Sequence, residues 1–508
     1  MSKPKRAQAE ADPVPKPGED LPTALPPPAA AALVFVAAGA VLMLEILAVR
    51  LLAPYVGLTL ETTTSIIGAA LAGIAAGAAV GGYFADRTDT RRLIVGLLIG
   101  GGLLTLLTVP AVRWLGPGAR GDGDLAALGI TLIALVPAAA VLSAVSPAVA
   151  HLQLHDLRAS GTIVGRLSAW ATAGALIGTF GTGFVIVPLM PVGAAVLVIG
   201  AGLILAGIIL GSSSRVLSPA MIVGMVVAAG ALGVLTGSST SPCEEETEYH
   251  CVNVKSEPAL SGYHLVLDGE LNSYVDPEQP ARLAYPYTHW MADAINSTSP
   301  LKAPLDVVFV GGGAFTLPRW LRATRPGSRA RVLEVDGEVV EFVEERLGLD
   351  PWPRLSIAVG DARIGILDVP DNSADVVVGD AFSGLTVPWH LTTREWMAEV
   401  RRVLRPGGLY TLNMIDYKPL SLLKAEMATL LEAFADVRLV SFPDPEGRPA
   451  GGSAVLLASD RPLPAGAGSN AEGALTYEQG VVEEIAAGAE PLRDDYAPVD
   501  QLLTTTIG

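Results

Sequence analysis

Cysteine is nearly absent from this chain of 508 residues: only Cys243 and Cys251 occur, which excludes a Cys-rich metal site, and no metal is expected. Charge is sparse too. With 17% charged against 50% hydrophobic residues, an ordinary, wholly soluble globular chain is excluded, and part of the molecule is assigned to lipid. The acidic excess is confined to one half: residues 1–240 hold 13 Lys and Arg against 11 Asp and Glu, whereas residues 241–508 hold 21 against 40. That second half reads as an acidic soluble domain. It repels a phosphate backbone, so nucleic acid is not an expected partner.

What the first half has instead is long apolar runs. The first, Ala29 to about Leu52, is too long for the apolar core of a signal peptide and shows no clear cleavage site, so it is expected to be retained. Six more follow at 62–84, 93–115, 125–149, 167–189, 192–211 and 217–237, and about 20 apolar residues suffice to cross a hydrocarbon core of ~30 Å. A bundle of about seven helices is therefore predicted over 29–240, after a Pro- and Ala-rich tail over 1–28 expected to be disordered and cytoplasmic. Stretches such as Gly68-Ala69-Ala70-Leu71-Ala72-Gly73 and Gly174 to Gly183 let helix backbones approach closely in lipid. Glu45 and Arg50 lie in or near the first run, where charge is costly. They are expected to be structural, Arg50 snorkelling to the membrane edge and Glu45 pairing with it or with another helix.

Lys and Arg in short loops set orientation. Lys3, Lys5, Arg6, Lys16, Arg87, Arg91, Arg92, Arg158, Arg166 and Arg215 fall on one side; Arg113 and Arg120, offset by Asp122 and Asp124, fall on the other. The amino terminus is expected in the cytoplasm of a multi-pass cell-membrane protein contacting lipid. Seven crossings then carry everything after Gly237 outside. Cys243 and Cys251 flank the first predicted strand beyond the last run, and an oxidising compartment would let them form a disulfide. Self-association into a homo-oligomer is left open.

Residues 241–288 carry short alternating β-prone stretches, Tyr249 to Val254 and Tyr263 to Leu267, with Asp268-Gly269 as a turn, and predict a small antiparallel module. From 289 to 460 strands and helices alternate, predicting a parallel sheet covered by helices with ligands at the strands' carboxyl ends; residues 461–508 are read as a C-terminal extension. The first strand runs into Gly311-Gly312-Gly313, where the absence of side chains admits a ligand to the backbone. The second ends at Glu334, 21 residues after Gly313, where a carboxylate can accept both ribose hydroxyls. The third ends Gly360-Asp361-Ala362-Arg363, with Asp361 able to accept from an adenine amino group, and the fourth places Asp380 toward the same crevice. Phe315, Phe382, Pro388 and Trp389 are candidates for an apolar acceptor pocket. Thr392 or Thr393 is read as a helix cap and His390 as a loop residue.

This order of motifs, completed by Val403-Leu404-Arg405-Pro406-Gly407-Gly408, resembles the spermidine synthase family and, more loosely, the class I methyltransferases with their Rossmann-like fold. Tyr249-His250, Leu267-Asp268-Gly269, Tyr285 and His289 resemble that family's amino-terminal signatures, and Leu44-Glu45-Ile46 with Arg50 to Tyr55 resembles its membrane-fused bacterial members. The tail piece Asp494 to Asp500 fits those fused proteins as well. The resemblance implies aminopropyl transfer from decarboxylated S-adenosylmethionine to a diamine such as putrescine, with no tightly bound cofactor. By it Gly311, Gly312, Gly313, Glu334, Asp361 and Ala362 hold the nucleoside, Asp380 is the base, and Tyr249, Tyr285, His289 and Ser383 meet the amine substrate. Some family acids are replaced: Gly313-Ala314-Phe315 stands where the family has Gly-Asp-Gly, and Ser383 where it has a second Asp. A dication needs close carboxylates to offset its desolvation. Two alternatives therefore stand beside the first: another S-adenosylmethionine-dependent transferase, such as a methyltransferase, or a non-catalytic extracytoplasmic nucleoside- or partner-binding module.

Overall fold

The structure, a computed structural model, describes residues 25–56, 60–119, 123–154, 160–239, 241–259, 261–382, 387–468 and 473–504. Most of the expected tail, along with Arg120 and Arg158 of the charge count, lies outside these residues.

Among the described residues, seven helices are long and apolar enough to cross a membrane: Pro27–Val56, Thr62–Ala85, Thr90–Ala119, Val136–Gln153, Ser160–Leu189, Val192–Ser213 and Pro219–Ser238. The fourth differs from the run expected over 125–149, because the helix is interrupted at Leu135, between Gly123–Ala134 and Val136–Ser143. Pro137 explains the break: it lacks the N–H that a continuous helix would bond one turn back, and its ring crowds that turn. The small residues do what lipid packing asks of them. A Cβ on Gly174 would stand 2.1 Å from the Phe35 carbonyl oxygen, and one on Gly178 would stand 2.6 Å from that of Gly39, so the first and fifth apolar helices are in backbone contact.

Arg50 lies near the carboxyl end of its helix; among the described residues it makes no ion pair with Glu45, and its guanidinium donates to the carbonyl oxygens of Thr247 and Glu248 in the half of the chain after residue 240. A planar fork of donors can hold two adjacent carbonyls at once. Around it, the Val192 N–H donates to Glu246 Oε2 at 2.8 Å, and a Cβ on Gly269 would meet the Pro54 carbonyl oxygen at 2.7 Å. The soluble half is thus seated on the carboxyl end of the first apolar helix and the amino end of the sixth.

The seat is a four-stranded antiparallel sheet: β1 (Glu245–Glu246), β2 (Cys251–Glu257), β3 (Gly262–Leu267) and β4 (Glu270–Val275), in that order. Asp268 and Gly269 both have positive φ, as the tight hairpin between β3 and β4 requires. Cys243 and Cys251 form a disulfide, which closes the entry to β2.

Beyond it stands an eight-stranded sheet of β5 (Asp306–Val310), β6 (Arg329–Glu334), β7 (Leu355–Val359), β8 (Ala374–Gly379), β9 (Leu404–Asp416), β10 (Asp436–Pro443), β11 (Pro449–Ser459) and β12 (Leu475–Tyr477). Their order is β12-β10-β11-β9-β8-β5-β6-β7, with β5 to β9 parallel and the remaining pairs antiparallel. The chain winds outward from β5 to β7 and then returns to lay β8 on the other side of β5. That reversal opens a crevice at the carboxyl ends of β5 and β8, the usual ligand position in such sheets. The residues after 460 are part of this body: β12 pairs with β10, and Tyr477, Val482, Ala486, Leu492 and Val499 are buried in its core.

Candidate nucleoside-binding crevice

Neighbouring strand ends are bonded directly to one another. The Gly311 N–H donates to the Leu333 carbonyl at 2.9 Å, Asp380 N–H to the Val310 carbonyl at 2.8 Å, and Gly360 N–H to the Glu334 carbonyl at 2.8 Å. Glu334, Asp361 and Asp380 therefore leave adjacent strands, with the glycine turn between the first and the last. Gly311 has φ +93°, and a Cβ there would lie 2.4 Å from the Asp380 carbonyl oxygen. Gly311→Ala is accordingly expected to destabilise the domain by about 1–3 kcal/mol in a urea titration; an unchanged midpoint would show that the turn has slack.

Glu334 is only 8% exposed. Its Oε2 accepts from the Gly312 N–H at 2.7 Å and the Gly313 N–H at 3.4 Å, and its Oε1 accepts from the Asp336 N–H at 3.0 Å. A carboxylate offers about four acceptor positions, so Oε1 keeps one open toward a ribose hydroxyl. A grip on both hydroxyls needs the long Gly313 contact to yield. Asp361 caps a short helix by accepting the Arg363 N–H at 2.8 Å, and Ala362 is buried just behind it. His390, expected to be a plain loop residue, has its Nε2 3.3 Å from Asp361 Oδ1. The loop turns back because Thr393, as foreseen for one of the two threonines, caps the next helix and also donates to Asp494 Oδ1 at 2.6 Å.

Asp380 is half-buried at the back of the crevice. Burial pushes its carboxyl up to about 6, against the pull of two donors, Asn413 Nδ2 at 2.8 Å and the Tyr287 hydroxyl at 3.2 Å. Burial raises the Tyr287 phenol as well, reinforced by the Asp380 charge, so Tyr287 remains a donor at neutral pH. Both residues escaped the sequence reading. Asn413 carried a usable signal, an amide in the apolar run of a central strand; a polar group is kept in such a place only when it has a partner.

Four expected substrate contacts fare differently. Tyr285 is turned away from Asp380: its hydroxyl meets His264 Nδ1 at 2.8 Å, the two rings stack, and burial takes the phenol to about 12. Tyr287, two residues on, is the tyrosine whose hydroxyl bonds the Asp380 carboxylate. His289 is exposed and holds the Leu283 carbonyl through Nε2 at 3.0 Å. Tyr249 stands 44% exposed in a small cleft with Arg50 and Asp268 where bundle and β module meet. Ser383 lies outside the described residues. Phe315 is also corrected: it is fully buried with φ +59° and packs its ring on Gly312, so it belongs to the core and not to an acceptor pocket.

His250 pairs with Asp336 at 3.0 Å. Burial pulls the imidazole down, but the Asp336 hydrogen bond and the charges of Asp268, Asp336 and Glu334 outweigh it and leave it raised. Burial likewise pushes Asp336 up, and its bonds from His250, Thr247 and Val339 reverse the direction. Both shifts have the sign that an imidazolium facing a carboxylate produces.

Glycine turn, strand-end acids and sheet order together define a class I methyltransferase-type fold, and a methyltransferase-domain family model matches residues 308–412. The more particular similarity is to polyamine aminopropyltransferases: the half of the chain after residue 240 is spermidine synthase-like. It is 27% identical over 177 residues to a polyamine aminopropyltransferase of Vibrio vulnificus, covering 34% of this chain and 57% of that protein, so the match spans little more than half of the relative. An eEF1A lysine and N-terminal methyltransferase of Danio rerio is 28% identical over 132 residues, 24% of this chain and 19% of that one. Among solved structures, a probable spermidine synthase from Corynebacterium glutamicum is 28% identical, with a TM-score of 0.46 over 51% of this chain and 99% of its own.

Proposed function

We propose that this protein is a membrane-bound aminopropyltransferase of the spermidine synthase type, with its catalytic half outside the cytoplasm. The observation that carries the chemistry is Asp380: a half-buried carboxylate, its carboxyl pushed up to about 6, set beside the glycine turn and oriented by Tyr287 and Asn413. In the proposed reaction decarboxylated S-adenosylmethionine lies with its ribose at Glu334 and its adenine at Asp361. The acceptor's nitrogen lone pair attacks the carbon beside the sulfonium, the carbon–sulfur bond breaks, and methylthioadenosine leaves. Asp380 takes the proton released from nitrogen. A diamine such as putrescine is the acceptor proposed by kinship.

The membrane placement is supported by seven apolar helices and by the ends at which their charges gather. Arg87, Arg91, Arg92 and Arg215 lie at the end opposite the soluble half, as an inside face requires. The Cys243–Cys251 disulfide fits an oxidising compartment. A second reading, transfer to a less charged acceptor as in a methyltransferase, is favoured by Ala314 and Phe315, which add no acid beside the turn.

The test is methylthioadenosine release by the purified full-length protein given decarboxylated S-adenosylmethionine and putrescine. Release is expected, and S-adenosylhomocysteine formed from S-adenosylmethionine in its place would favour the second reading. Cysteine labelling at the carboxyl terminus of intact cells tests the topology, and protection from an impermeant reagent would overturn it.

A further inference from the structure

We infer that the first apolar helix sets the geometry of the nucleoside crevice, with Arg50 as a positioning residue that acts through Thr247 and Asp336. The proposal rests on the nucleoside reading above and gives the helical half a part in it beyond anchorage.

A continuous path of hydrogen bonds carries the effect. Arg50 donates to the carbonyls of Thr247 and Glu248 in the short connection between β1 and β2. Held there, the Thr247 hydroxyl donates to Asp336 Oδ2 at 2.5 Å, and His250 Nδ1 meets the same oxygen at 3.0 Å. Asp336 passes the constraint on through its own N–H, which donates to Glu334 Oε1 at 3.0 Å; Glu334 Oε2 in turn holds the Gly312 N–H at 2.7 Å. Thr247, Asp336 and Glu334 are all buried, and water cannot take over a bond that is lost. The glycine turn and the ribose acid thus inherit their positions from a side chain on a helix of the bundle.

The arrangement differs from a simple tether. The soluble half is also fastened by Val192 to Glu246 and by the packing of Gly269 on Pro54. Those contacts do not involve the Thr247 connection, so removal of Arg50 leaves the docking in place and frees only the path to Asp336. Two adjacent carbonyls caught by one guanidinium also suit Arg far better than Lys, whose single ammonium cannot span them in a fixed plane.

The experiment is calorimetric titration of methylthioadenosine into the full-length protein in lipid nanodiscs. Arg50→Gln is expected to weaken binding about tenfold, and Thr247→Val by a similar factor, the scale of one lost buried contact. Arg50→Lys should recover part of the loss. The double variant should lose no more than either single one, because both cut the same path. Wild-type affinity in Arg50→Gln, alongside a loss in Glu334→Gln, would reduce Arg50 to a tether, and fully additive losses would break the path at Thr247. If the unmodified protein fails to bind methylthioadenosine, the nucleoside reading itself falls and this inference falls with it.

Discussion

Asp380→Asn is expected to lower kcat for aminopropyl transfer by about 10²–10⁴ while leaving methylthioadenosine binding intact. The carboxylate meets both Tyr287 and Asn413, and asparagine keeps its shape while removing its basicity. Because burial holds the group up at about 6, turnover should rise with pH through that value and then level off. Stability runs the other way. A carboxyl whose folded pKa lies above its unfolded value of about 3.9 contributes stability fully only below that lower value, and the contribution is lost as pH climbs through about 6. Above pH 6 ionised Asp380 costs on the order of 3 kcal/mol, so the Asn variant should melt higher than the parent at neutral pH and lose this advantage near pH 4. A variant that turns over normally removes Asp380 from the chemistry; one that melts lower at neutral pH contradicts the burial argument.

Glu334→Gln should weaken methylthioadenosine binding by about 100-fold, the scale of one charge-assisted hydrogen bond lost together with a mispaired neighbour. Three backbone N–H groups, of Gly312, Gly313 and Asp336, point at this carboxylate. A glutamine offers one oxygen and one amide nitrogen, so at least one of those N–H groups would face another donor. The damage then spreads from the ribose to the glycine turn. Titration calorimetry reads the loss directly, and binding within experimental error of the parent would show that Glu334 serves the turn and not the ligand.

These two residues were legible in the sequence because each ends a short β-prone run, and Glu334 stands at a known interval from a glycine triplet. Strand ends of a parallel sheet are forced into one crevice, and the one-dimensional spacing is enough to find them. Tyr287 and Asn413 were not legible by spacing. One begins a helix 93 residues before Asp380 and the other sits on β9, 33 residues after it. The contact of His289 with the Leu283 carbonyl was likewise not legible from the motif that its position matched.

The same division holds for the molecule as a whole. Composition and periodicity by themselves determined a helical bundle of seven apolar runs, an antiparallel module, an alternating α/β domain and three acids at its strand ends, because burial of apolar surface is local and periodic in the chain. Only the tertiary structure decided that the residues after 460 close the same core, that Arg50 leaves its helix to hold the connection at Thr247, and that Asp336 joins that connection to Glu334. Those contacts link residues far apart in sequence, and their partners are chosen by the packing of whole elements, which no local pattern records.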